Sequence, residues 1–300
     1  MSFELKRKET VPEGIRRVVC ERIEKALETL NGSSRKAASD EAVHEARKQF
    51  KQVRSALRVV RGELGGNRFD RENRTFRDAG RPLSEVRDAK VMVQTLDELA
   101  AHHKGQLAAG SFKYLHSELE ARRRDVRKRV LDEGRAARAI VREVSKSSRR
   151  VEGWPLKHNG WKAVSPGLRQ TYAQGREAMQ ESLRDGSDEA YHEWRKRAKD
   201  LRYAIELLAR PWPEAMQPLA DAVHHLTDVL GQDHDLAVLE SLVKGELKDV
   251  PDPEREMLEP LAAQRRTELK EEAAELGRKI YAEQEDAFID RLHGYWKAWE

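Results

Sequence analysis

The sequence predicts an all-α protein made of two like halves of about four helices each, and three observations predict it. A stretch at 39–56, SDEAVHEARKQFKQVRSA, returns at 187–204 as SDEAYHEWRKRAKDLRYA, with 11 of the 18 positions identical. A repeat this long and this charged calls for two copies of one structural unit. A shorter echo pairs Leu83-Ser-Glu-Val-Arg87-Asp88-Ala-Lys-Val91 with Leu230-Gly-Gln-Asp-His234-Asp235-Leu-Ala-Val238 at nearly the same offset. Third, apolar residues recur at helical spacing, and sustained β-branched alternation is absent.

Taken in order, residues 11–31 read as a first helix, with Pro12 near its start and Asn31-Gly32 at its end. Ile15, Val18, Val19, Ile23, Ala26, Leu27 and Leu30 form its apolar side. The first repeated helix follows, opened by Ser39 or Asp40 as N-cap and stopped by Gly62 and Gly65-Gly66. Helical spacing resumes from Asn67 to Ala79; Pro82 predicts a break, with a new helix over 83–100. Residues 111–145 read as one basic helix or two, interrupted near Gly134. Ser145 to Gly167, rich in Ser, Gly, Pro and basic residues, marks the joint. The chain divides there into 1–150, a linker over 151–166, and 167–300. The second half then has a helix to Leu183, the second basic helix opened by Ser187 or Asp188, a helix from Pro213 to Leu230, and two more over 252–300. The aromatic tail with Tyr295, Trp296 and Trp299 should pack on the core.

Placed at helical spacing, the two repeated helices are two-faced. Val43, Ala46, Phe50, Val53 and Leu57 cluster on one side of the first, and Tyr191, Trp194, Ala198, Leu201 and Ile205 on one side of the second. The opposite side of the first carries His44, Arg47, Lys48, Lys51, Arg54 and Arg58. His192, Arg195, Lys196, Lys199 and Arg202 form the matching row, which ends at Glu206 where the first has Arg58. A solvated face is the simplest account of a charge run, but solvated faces mix signs because like charges at this spacing repel. Two unmixed rows in the same order point instead to an anionic ligand.

The wider composition suits long helices. The chain has 300 residues, 38% hydrophobic and 37% charged, and 57 Lys+Arg against 53 Asp+Glu leave a net +4. The grouping of positive charge therefore matters more than its sum. The lone Cys20 sits in an apolar run and is expected to be a buried free thiol. The start has no apolar stretch of signal-peptide type, and no apolar run approaches the ~20 residues that cross a bilayer. The expectation is a soluble, cytoplasmic protein without a membrane partner.

His-x-x-Arg-Lys-x-x-Lys-x-x-Arg, followed downstream by Arg/His-Asp-x-x-Val and then repeated, resembles the CHAD family, the conserved histidine α-helical domain, over about residues 10–295. The resemblance implies two four-helix bundles facing each other around a basic groove or pore. It also implies binding of inorganic polyphosphate, in some members with association to polyphosphate granules. Carried over by position, the ligand-facing residues would be His44, Arg47, Lys48, Lys51 and Arg54, then His192, Arg195, Lys196, Lys199, Arg202 and Tyr203, with Arg87 also reaching the groove; Arg58 joins the candidates from the basic face of the first helix, as a rung without a basic counterpart. His234 stands where the first copy has Arg87, and no triphosphate-tunnel domain is present.

Two other functions compete. A metal-dependent phosphohydrolase would use His224, His225, Asp228, Asp233, His234 and Asp235. These lack an established ligand spacing, and Asp88 and Asp235 equally suit helix caps or ion pairs that steady the basic helix. No HExxH, Walker A or GxSxG motif occurs, so neither catalysis nor a cofactor is expected. Nucleic-acid binding would use the basic helices and the run from Arg122 to Arg129. Most aromatics fall on apolar faces instead of where bases could stack, Tyr203 excepted. No protein partner can be identified.

Overall fold

The computed structural model describes residues 3–32, 40–108, 110–132, 135–247 and 249–300. Among these the chain is helical, with no strand: α1 (Val11–Gly32), α2 (Asp40–Val59), the single turn α3 (Arg61–Leu64), α4 (Gly66–His102), α5 (Lys113–Arg127), a π-helical turn (Lys128–Asp132) and α6 (Arg135–Val151). The second half holds α7 (Trp161–Asp185), α8 (Asp188–Leu207), α9 (Pro213–Gly245), α10 (Asp252–Ile280) and α11 (Glu285–Trp299). Ser39 and Gly134 lie outside the described residues, so the first cap and that interruption are not part of the picture. In the second copy Ser187 is the N-cap, its hydroxyl accepting from the Ala190 N–H at 3.2 Å.

The halves pack in the same order. In the first, α1 lies on α2, α2 on α4, and α4 on α5; in the second, α7 lies on α8, α8 on α9, and α9 on α10. All five expected apolar residues of α2 and all five of α8 are buried, as the periodicity requires. Trp194 is fully buried, with its ring end over Gly277 of α10, and Phe50 meets Phe76 at 6.0 Å. Each such side chain contributes about 1.5–3 kcal/mol by leaving water. Trp296 is buried, with Tyr295 and Trp299 packed partly buried beside it.

Between the halves, α2 packs on α7 and α8, and α4 packs on α9. The α2–α7 approach depends on Gly167: a Cβ there would collide with the carbonyl oxygens of Arg58 and Val59. Polar ties reinforce it. Buried Glu254, in the first turn of α10, accepts from the free N–H groups of Tyr114 (3.0 Å) and Leu115 (2.8 Å) at the start of α5. The Arg58 guanidinium pairs with Asp200 of α8 at 3.1 Å.

Four expectations need correction. Pro82 does not break the chain, because α4 runs unbroken through it. The buried stripe Phe76, Ala79, Leu83 and Val86 holds both flanks, and Pro82 borders an open cleft where water can reach the carbonyl that lacks its N–H partner. Likewise α9 passes through Leu230-Gly231 to Gly245, since Leu226, Leu230, Leu236 and Leu239 continue its buried side. Only residues 152–160 separate α6 from α7, a shorter joint than 151–166, with Pro166 accommodated inside α7. Cys20 is half-buried, its thiol pushed up by burial and by the field of Glu24.

Candidate functional site

The helix register that buries the apolar stripes of α2 and α8 sends both basic rows to the seam where these helices meet. Arg47 and Lys51 of α2 lie within the electrostatic reach of Arg195 and Lys199 of α8. The rows are therefore brought together at their middle rungs.

Each half repeats one ion pair there. Arg47 lies 3.8 Å from Asp88 of α4, and Arg195 lies 3.7 Å from Asp235 of α9. The two aspartates are the equivalent residues of the second repeated motif, and they steady the arginines from the neighbouring helix. Desolvation pushes the Asp235 carboxyl up, partly offset by Arg195 and Lys199. Gly231 lies beneath the Arg195 guanidinium, where a Cβ would come within 3.2 Å of it.

The lysines one turn further have no such partner: among the described residues no carboxylate lies within ion-pair distance of Lys51 or Lys199. Burial, with the fields of Arg47 and Arg195, lowers Lys51 to about 8. Burial and the fields of Arg195 and Lys51 hold Lys199 well below the ordinary lysine value. Both are partly buried.

The histidines open the rows. His44 is exposed and held down by partial burial and by Arg87. The His192 ring lies tilted against His234 with centroids 4.4 Å apart, and its Nδ1 is buried without a hydrogen-bond partner. Burial, then Arg195 and His192, lower His234 to about 4. Each row's histidine thus meets the basic or His residue of the second motif, Arg87 in one half and His234 in the other.

The remaining expected residues divide. Lys48 is exposed. Lys196 is exposed and pairs with Glu193 on its own helix. Arg54 donates to Asn73 Oδ1 at 2.9 Å, and burial with Arg58 lowers it to about 10. Arg58 is held by Asp200, and Arg202 donates to Glu206 Oε1 at 2.8 Å. Tyr203 is buried, its ring edge-on to Phe3 at 6.3 Å, with the Arg202 guanidinium of the row 5.3 Å above it. The row that reads as uniform in sequence therefore has middle lysines without an ion-pair partner among the described residues and an end tied into the fold.

A cavity of about 530 Å³ opens between α4, α8 and α9, lined by Arg87, Arg195, Lys199, His102 and Arg265, with Glu98, Asp228 and Asp235 among its acids. Sequence reasoning missed His102, Arg265 and Asp200. Asp200 carries one legible signal, an acid inside a basic stretch where the first copy has Gln52. A larger cleft of about 710 Å³ between α4 and α6 holds none of the row residues.

The competing sites disperse. His224 pairs with Asp228 at 2.8 Å, His225 with Glu272 at 2.9 Å, Asp233 with Arg266 at 2.9 Å, and Asp235 with Arg195. Among the described residues no three His, Cys, Asp or Glu side chains are grouped to hold a metal. In the Arg122–Arg129 run, Arg123 and Arg127 bind Asp40, Arg122 binds Glu246 and Arg129 binds Glu85.

An all-helical chain that writes one basic helix twice and sets the copies side by side defines the class. The CHAD domain family model matches residues 21–244, and the chain belongs to that family. The crystal structure of the CHAD domain from the plant Ricinus communis is similar, at 17% identity and a TM-score of 0.60, covering 95% of this chain and 96% of that one. That similarity concerns the fold. No curated protein sequence matches. No described helix is long and apolar enough to cross a membrane.

Proposed function

We propose that the chain binds inorganic polyphosphate along the α2–α8 seam without turning it over, and that this binding can anchor it to polyphosphate granules. The observation that carries the reading is the pair Lys51 and Lys199, one from each row, lying in each other's field with no carboxylate in ion-pair range among the described residues. Buried like charges destabilise a free protein, and a polyanion between them reverses the sign of that interaction. Arg47 and Arg195 flank them and can fork N–H donors onto phosphate oxygens, while lysines act as compact point charges. Polyphosphate carries about one negative charge per unit, a linear density comparable to or above that of DNA, so its binding should release condensed counterions.

Calorimetric titration with long-chain polyphosphate over a range of salt concentrations tests this. Affinity should fall steeply with salt and rise with chain length. A flat salt response, or RNA binding with no polyphosphate binding, overturns it.

A further inference from the structure

We infer that Lys199 is a site of covalent acylation by acyl phosphates, small electrophiles whose leaving group is inorganic phosphate. Lys199 lines the 530 Å³ cavity, large enough for such a molecule, and shares its wall with Arg195 of its own helix and Arg87 of α4. The Arg195 Nε is buried without a hydrogen-bond partner, a donor left over from the ion pair with Asp235. Two guanidiniums from different helices thus offer the phosphoryl group a seat beside a lysine that has no ion-pair partner among the described residues. The same surroundings keep a larger share of the Lys199 amine unprotonated and nucleophilic than on an open surface.

The step balances within the two reactants. The Lys199 Nζ lone pair attacks the acyl carbon and forms the C–N bond. The C–O bond to phosphate breaks, phosphate leaves with that electron pair, and the nitrogen's proton passes to it. The product is an uncharged amide. On the polyphosphate reading, one positive charge is lost from the seam, so acyl-phosphate supply would lower polyanion affinity. Lys51 does not line the cavity.

The test incubates the full chain with acetyl phosphate near neutral pH and follows acetylation of each lysine by peptide mass spectrometry. The seat for phosphate beside it, and the lowered proton affinity that leaves more of the amine as free base, should make Lys199 label faster than exposed Lys48 and Lys196. Equal rates overturn the proposal. A neutral acetyl ester should shrink the lead, since it has no phosphate for Arg195 and Arg87; an unchanged lead overturns their part. Long-chain polyphosphate should protect Lys199. Fast labelling without protection would leave acylation standing and overturn the polyphosphate reading instead.

Discussion

Replacing Lys51 with Met should make the free protein more stable and a poorer binder. In the folded chain Lys51 lies at about 8 against an ordinary 10.5. At 1.36 kcal/mol per pH unit, that gap corresponds to about 3 kcal/mol of penalty for holding the ammonium there. Partial solvent contact reduces it, and about 1–3 kcal/mol is the working range. The sign follows from linkage. Below about pH 8 the amine is protonated folded and unfolded, so the penalty is fully present. It fades as pH rises from about 8 to 10.5, and above that the amine is neutral in both states. At neutral pH Lys51→Met removes the charge and retains the apolar stem. The melting temperature should rise by about 2–6 °C, at roughly 2 °C per kcal/mol for a chain this long. Polyphosphate affinity should fall at least about tenfold, the worth of one charged hydrogen bond. Calorimetric melting and titration of the same sample measure both. A lower melting temperature would mean that Lys51 is a structural residue, and unchanged binding would place the ligand elsewhere.

Three further outcomes follow. Asp200→Asn removes the counter-ion of Arg58 but also a carboxylate that burial holds above its usual range, so the two effects oppose and stability should change little while polyphosphate binding persists; chemical denaturation beside titration checks it. Burial, Arg195 and His192 lower His234. Polyphosphate should favour its protonated form, so affinity should climb as pH falls below about 6.5 and level off near 4, and His234→Ala should flatten that climb in titrations across pH. The buried Glu72 carboxylate is held below its usual range, the penalty of burial being outweighed by bonds from Arg150 and Ser147. Its contribution is present above the usual carboxylate range and lost as pH falls through its lowered folded value, so Glu72→Gln should lose several degrees of melting temperature at neutral pH and less in acid.

What the sequence disclosed about the fold followed from periodicity. The stripes of α2 and α8 gave burial residue by residue, and the repeat of His44 to Arg54 at His192 to Arg202 marked the seam. Punctuation was less reliable. Pro82 and Gly231 look like stops in a local reading, yet tertiary packing on both flanks carries α4 and α9 through them. At the site, residue type could not separate free cations from paired ones. Arg54, Arg58 and Arg202 read like Lys51 and Lys199, but their partners Asn73, Asp200 and Glu206 are set by packing or lie one turn along. Tyr203 reads as an aromatic beside a basic row; Arg202 does lie over its ring, but the packing against Phe3, two hundred residues away, could not be read locally. The roles of Asp88 and Asp235 were half legible: their equivalence was written in the repeat, and the geometry chose ion pairs with Arg47 and Arg195 over a metal site.

The most direct test of the central claim compares two double variants of equal charge change for binding to long-chain polyphosphate. One is Lys51→Ala with Lys199→Ala, from the seam. The other is Arg68→Ala with Arg74→Ala, from the exposed side of α4. The seam variant should lose about 100-fold in affinity, from two charged contacts, and the α4 variant less than about threefold. Equal losses would mean that net charge alone attracts the polyanion and that the facing rows are not its site.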